Sequence, residues 1–206
     1  MLLWITLTRD SLNAKLHMKK IISIAILGLI ITSQAMAYEE VNYETVKTNK
    51  VYEIRKYSDR LAIETATSNQ NSGFRKLFNY ISGNNEMNEK IKMTTPVTQV
   101  KKKGNMTMQF YLPSKFNKDN VPNPSMPDVE IVNIEGGYYA VIRYSGRVTD
   151  KNFIKHKDIL ENELKKNDIS ILSPPIRATY NGPFTLPMFR RNEVMFEINI
   201  KTKGEI

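Results

Sequence analysis

Two histidines and no cysteine restrict what this chain can do with a metal or a nucleophile. Without cysteine there is no thiolate zinc site, thiol nucleophile, covalent c-type haem attachment or disulfide framework. Two histidines cannot assemble a multi-histidine metal centre. His156 follows Phe153 by three residues and precedes Leu160 by four, which on a helix puts it at the edge of their shared stripe. It reads as a half-buried packing residue, with ligation of iron as the weaker alternative. There is no Gly-x-Ser-x-Gly, phosphate loop or dinucleotide fingerprint, so hydrolase triads and nucleotide-dependent oxidoreductases lose their support. Glu39-Glu40 and Glu161/Glu163 read as solvated surface. Lys101 to Lys103, followed by Gly104-Asn105, reads as a hairpin turn in solvent and not as a phosphate-binding patch. Arg190-Arg191-Asn192-Glu193 puts two guanidinium groups beside a carboxylate where a loop enters a strand, the pattern of a structural ion pair or turn. No catalytic constellation emerges.

The elements that would position these residues follow a repeated order. Val51–Tyr57 and Leu61–Thr67 are short β-branched and aromatic runs around Ser58-Asp59-Arg60, the pattern of a hairpin. A helix follows, with Asn71 and Ser72 as caps, Phe74, Leu77, Phe78 and Ile81 at i, i+3, i+4 and i+7, and Gly83 as its stop. Ile91 to Val100 reads as extended, with Pro96 implying an edge or a bulge. Met106, Met108, Phe110 and Leu112 alternate through another strand, and a proline-rich loop from Pro113 to Pro127 marks the midpoint. Val129–Ile134 and Tyr138–Tyr144 then form a second expected hairpin around Gly136-Gly137. Thr149 or Asp150 caps a helix to about Lys166, and strands at 169–172, 176–180 and 194–200 follow. The expectation is a duplicated ββαββ unit forming one α+β domain with two helices on a largely antiparallel sheet.

Composition sets the remaining bounds. The 206 residues carry a formal charge of +9, with 41% hydrophobic and 25% charged residues, as in ordinary globular domains. Met18-Lys19-Lys20, the apolar run Ile21 to Thr32 and the ending Ala35-Met36-Ala37 have the three parts of a secretory signal, so Met18 is the expected start and Ala37 the expected cleavage point. Twelve apolar residues span roughly 18 Å as a helix, short of a bilayer core of roughly 30 Å, so no permanent membrane anchor is expected. The expected organisation is residues 1–37 as extension and signal, with 38–206 as the working domain in the periplasm or outside the cell. Loss of Arg9, Lys15, Lys19, Lys20 and Asp10 leaves 26 basic and 20 acidic residues, a net +6 with scattered lysines, which disfavours nucleic acid as a partner.

Four strings carry a resemblance. Val51-Tyr52-Glu53-Ile54-Arg55-Lys56-Tyr57 comes first, followed by Gly73-Phe74 through Leu77-Phe78-Asn79-Tyr80-Ile81-Ser82-Gly83-Asn84-Asn85. Lys92-Met93-Thr94-Thr95-Pro96-Val97 and Arg190-Arg191-Asn192-Glu193-Val194 complete the order. Together they resemble the SOUL family of haem-binding proteins over roughly Tyr43 to Lys201. The resemblance implies a twisted antiparallel barrel or sheet flanked by two helices, similar to the effector-binding domains of bacterial transcription regulators. It also implies a tetrapyrrole, haem b or a related porphyrin, held non-covalently in an apolar cleft beside the first helix.

On that reading Phe74, Leu77, Phe78 and Ile81 offer one wall, and Met93, the Met106–Phe110 strand and the loop bearing Phe184 and Met188 offer adaptable apolar surface. Arg75, Lys76, Arg190 and Arg191 are candidates for the propionates; His156, Tyr80, Tyr138 and Tyr139 remain open as iron ligands. Where some members carry a histidine near the start of the first helix, this chain has Asn69-Gln70-Asn71-Ser72, and the basic residue before the helix tyrosine of some relatives is Asn79. The expected function is a haem carrier, scavenger or buffer in the cell envelope that works by apolar burial with weak or absent iron coordination. A module for another hydrophobic molecule or peptide is the alternative, with a tetrapyrrole-modifying enzyme as a third class.

Overall fold

In the computed structural model, residues 38–102 and 104–200 are described, and the signal-like segment 1–37 lies outside them. Among the described residues twelve strands run in chain order. The first set is β1 (Glu39–Glu40), β2 (Glu44–Thr48), β3 (Glu53–Tyr57), β4 (Arg60–Thr67), β5 (Thr94–Thr95), β6 (Val97–Lys102) and β7 (Asn105–Tyr111). The second is β8 (Glu130–Ile134), β9 (Gly137–Tyr144), β10 (Ser170–Ile171), β11 (Ile176–Thr179) and β12 (Asn192–Asn199). Helix α1 (Gln70–Ile81) lies between β4 and β5, and α2 (Asp150–Lys166) between β9 and β10. The large sheet runs β2-β3-β9-β12-β11-β6-β7-β4-β8 and is open, with β2 and β8 at its edges, so the barrel form of the expectation gives way to the sheet form. From β3 to β8, reading the order from the opposite end exchanges β3, β4, β6 and β7 with β8, β9, β11 and β12. The centre of that exchange falls between β6 and β11.

The two expected hairpins are corrected. All four strands form, but β3 pairs with β9 and β4 with β8, so each run finds its partner in the other half of the chain. The two corners meet where Asp59 accepts from the Gly136 N–H at 2.8 Å and from Asn133 at 3.2 Å. A Cβ on Gly136 would stand 2.8 Å from the Tyr57 carbonyl oxygen, which explains glycine at that crossing. Pro96 is also re-read. It falls between β5 and β6, and the ladder resumes at Val97 in an interior strand between β11 and β7, so the missing N–H costs no bond within β6.

Helix α1 is capped two residues before Asn71, the first of the expected caps, by Asn69, whose side chain accepts from the Ser72 N–H. Gly83, at φ 111°, takes the left-handed conformation beyond its end. Leu77, Tyr80 and Ile81 bury against Ile63, Met108, Phe110 and Val97, at about 1.5–3 kcal/mol for each side chain removed from water. Thr149 caps α2, with Asp150 in the first turn and Lys165 and Lys166 in the last, as the helix dipole favours. Its Leu160 and Leu164 pack on Ala140, Ile142, Val194 and Phe196.

Candidate functional site

Strand alternation shows that both helices lie on one side of the sheet. Val97, Gln99 and Lys101 of β6 pair with Phe110, Met108 and Met106 of β7, and directly opposed residues share a face. Val97, Phe110 and Met108 belong to the α1 cluster. Gln99 also pairs with Arg177 of β11, which binds Asp150 of α2 at 2.6 Å and lies 4.4 Å from the Phe153 ring centroid. Helix α1 packs on β4 and β7, and α2 on β9 and β12. The helix-side surface of β6 and β11 therefore lies between the helices, with Val97, Gln99, Lys101 and Arg177 along its floor.

The wall on the α1 side is aromatic. Phe74 and Phe78 are 38% and 46% exposed and stack with ring centroids 5.9 Å apart, while Phe74 meets Phe110 edge-on at 5.2 Å. Their direction follows from helix geometry. Lys76, on the opposite flank of the buried Leu77–Ile81 stripe, bonds Asp128 at 2.5 Å beside the β8 edge, so the phenylalanine flank faces the central strands. Leu77 and Ile81 are buried and hold the helix in place, and Met93 packs partly buried against the same cluster.

The loop from β11 to β12 leaves the sheet at one end of this surface. It leaves from Thr179, the partner of Val97, and the Pro187 carbonyl accepts from Gly146 N–H at 2.8 Å near the base of α2. Phe184 is 97% exposed, and Leu186, Met188 and Phe189 are exposed beside it. Arg190 braces the loop from within, donating to the Thr185 and Pro183 carbonyls at 2.7 Å each.

The remaining charged candidates are placed elsewhere. Arg191 lies across the sheet, where it meets Glu40 at 2.8 Å and Glu193 at 2.9 Å and stacks over Tyr180. Glu193 also accepts from Arg55 at 2.9 Å and from Tyr180 at 2.7 Å. Arg190 and Arg191 thus serve the structural role that their sequence pattern suggested. Arg75 is exposed and has no ion-pair partner among the described residues. Tyr80 is fully buried and donates to the Pro122 carbonyl at 2.6 Å; burial pushes its hydroxyl up to about 12. Tyr139 faces the side away from the helices, packed with Tyr57, and Tyr138 packs partly buried under α2. His156 stacks on Tyr144 of β9, centroids 4.1 Å apart and planes 8° apart, and its Nδ1 lies 2.8 Å from the Asn152 carbonyl. Asn152 is tied to Ser145 and Arg147 after β9, which sets His156 on the flank of α2 away from β11.

The floor was not identified from sequence. Residues 91–100 read as extended, but a strand does not declare which neighbour it faces. The usable signal was alternation, which puts Val97, Gln99 and Lys101 on one face. The amide nitrogen of Gln99 is buried and makes no hydrogen bond among the described residues. A separate cavity of about 320 Å³ lies at the corner between β3 and β4, lined by Glu39, Asp59, Arg60, Tyr111 and Phe116 among others. Its charged rim suits an apolar macrocycle poorly.

The SOUL heme-binding protein family model matches residues 38–197. Heme-binding protein 2 of Mus musculus is 31% identical over 160 residues, which cover 69% of this chain and 76% of the relative. Its Homo sapiens counterpart is 31% identical over 170 residues, covering 74% and 80%. Among solved structures, the EcmrR C-terminal domain superposes with a TM-score of 0.53 at 12% identity, over 76% of this chain and 98% of that one. A hydrolase from Listeria innocua gives 0.54 at 8% identity, over 75% and 94%. At these identities the two structures speak to the fold alone.

Proposed function

The chain belongs to the SOUL heme-binding protein family, and from that premise we propose that it binds haem b or a related porphyrin non-covalently on the helix side of its sheet, against Phe74 and Phe78. The observation that carries this reading is the stacked pair itself. Two large aromatic rings are kept partly in water on the inward flank of a helix whose other apolar residues are buried. A flat macrocycle laid against them would remove that area from solvent and add aromatic contact. Leu77 and Ile81 hold the platform, Met93 backs it, Phe184 and Met188 stand exposed at its end, and Arg75, without an ion-pair partner among the described residues, is the α1 cation that would meet a propionate. The donor set fits a porphyrin held by its faces. His156 is engaged with Tyr144 and Asn152, and Tyr80 with Pro122. Bound haem would supply an iron centre and a visible chromophore; the chain's own residues bind and shield it.

This reading is one of binding, with a carrier, scavenger or buffer role, and no catalytic step is assigned. Titration of the full chain with ferric haem tests it. The expected result is a saturable Soret change near about one equivalent, and no change at tens of micromolar overturns it. In the same titration His156→Ala is expected to leave the band in place, because the ring packs against Tyr144; a lost or shifted band would identify it as the axial ligand. We also propose that the protein is exported to the cell envelope, on the strength of residues 18–37. N-terminal sequencing of protein recovered from cells is expected to begin at Tyr38, and retention of the Lys19-Lys20 segment would contradict it.

A further inference from the structure

Along the helix-side face of β6, three residues change character in sequence: Val97 is apolar, Gln99 carries an amide, and Lys101 carries an ammonium group. At about 3.3 Å per residue the face runs roughly 13 Å from Val97 to Lys101. Its apolar end adjoins Phe110, on which Phe74 packs, and the exposed loop that leaves from Thr179. At the other end Lys101 stands opposite Met106 in the β6–β7 hairpin, exposed and without an ion-pair partner among the described residues. Its neighbour Lys102 points to the other side of the sheet and is bound to Glu64 at 2.6 Å. Arg177, beside Gln99, is bound to Asp150. Among the described residues, Lys101 is therefore the cation of the floor without an ion-pair partner.

Gln99 supplies an independent sign. It is 6% exposed, and its amide nitrogen lacks any partner among the described residues. A buried amide donor without an acceptor is costly, and such a group in a native fold calls for an explanation. Its neighbours across the strands are Met108, which cannot serve as a strong acceptor, and Arg177, which carries only donors. Neither neighbour offers an acceptor, and an acceptor on a ligand would satisfy the group.

We propose that β6 orients the ligand and selects for a carboxylate: the apolar body lies toward Phe74 and Phe78, and an anionic end reaches Gln99 and Lys101. This rests on the porphyrin reading above and assigns to it a specificity-determining pair. Gln99 donates through Nε2 and Lys101 supplies the opposing charge, so that a ligand stripped of its carboxylates leaves both groups unsatisfied.

The test compares protoporphyrin IX with its dimethyl ester, two probes with the same macrocycle and no iron, by fluorescence titration of the full chain. Wild type is expected to bind the free acid about tenfold more tightly than the ester. Lys101→Met, which alters an exposed side chain, is expected to lose most of that preference by weakening the free acid alone, and Gln99→Leu to reduce it further. Equal binding of acid and ester by wild type, or a preference undiminished in Lys101→Met, overturns the orientation while leaving porphyrin binding intact. Failure of both probes to bind wild type overturns the porphyrin reading and this inference together.

Discussion

Replacing Glu193 with Ala is expected to lower the unfolding free energy by about 3–5 kcal/mol, the range for removing one partner of a buried ion pair. Glu193 is 0% exposed and Arg55 is 2% exposed, and they meet through two contacts of 2.9 and 3.2 Å. Burial is the largest single influence on Arg55 and would lower its basicity, but the hydrogen bond and the charge of Glu193, with Tyr57, together outweigh it and hold the guanidinium firmly charged. Without the carboxylate, Arg55 keeps only the partly exposed Glu53 at 2.8 Å as a counter-ion, its buried charge lies beside Arg191, and the Tyr180 hydroxyl loses its acceptor. Tyr57 leans on the same network, with burial pushing its hydroxyl up to about 12 against the lowering effect of Arg55. Denaturant unfolding at neutral pH reads the effect as a lower midpoint at unchanged slope. A double change, Arg55→Met with Glu193→Met, is expected to recover part of the loss because no charge is then stranded. A loss below about 1 kcal/mol in the single variant would show that the network is solvated in solution.

This network also shows how sequence and structure divide the information. Arg190-Arg191-Asn192-Glu193 was legible as an ion-pair motif because its charges are neighbours in the chain. Its buried partner, Arg55, lies 138 residues from Glu193 and enters through the pairing of β3 with β9, which no local pattern displays. The same crossing undid the two hairpins. The strands were visible from their β-branched and aromatic runs, yet their partners were fixed by the contact of Asp59 with Gly136, across 77 residues. The helices were easier, since caps and stripes are local. Even so, the i, i+3, i+4, i+7 pattern of α1 could not separate Leu77 and Ile81, which face the core, from Phe74 and Phe78, which overhang the central strands. Tyr80 escaped the stripe because its polar hydroxyl hid a fully buried ring. The loop bearing Phe184 and Met188 was legible as apolar; its position at one end of the surface depends on Thr179 pairing with Val97.

Those two phenylalanines bear most directly on function. Changing both Phe74 and Phe78 to Ser is expected to weaken ferric haem binding by about thirtyfold or more, from lost apolar burial and aromatic contact worth about 2–3 kcal/mol. Because both rings are already partly in water, the fold should keep most of its stability. Beyond its stack on Phe78, Phe74 makes an edge contact with Phe110, and α1 stays anchored by Leu77, Tyr80 and Ile81. The decisive measurement is a ferric haem titration of the full chain and of this double variant side by side, read at the Soret band, with circular dichroism confirming equal folding. Saturable binding by the parent chain and its near loss in the folded variant is the expected result. Undiminished binding in a folded variant would contradict the claim that haem lies against α1 on the helix side of the sheet.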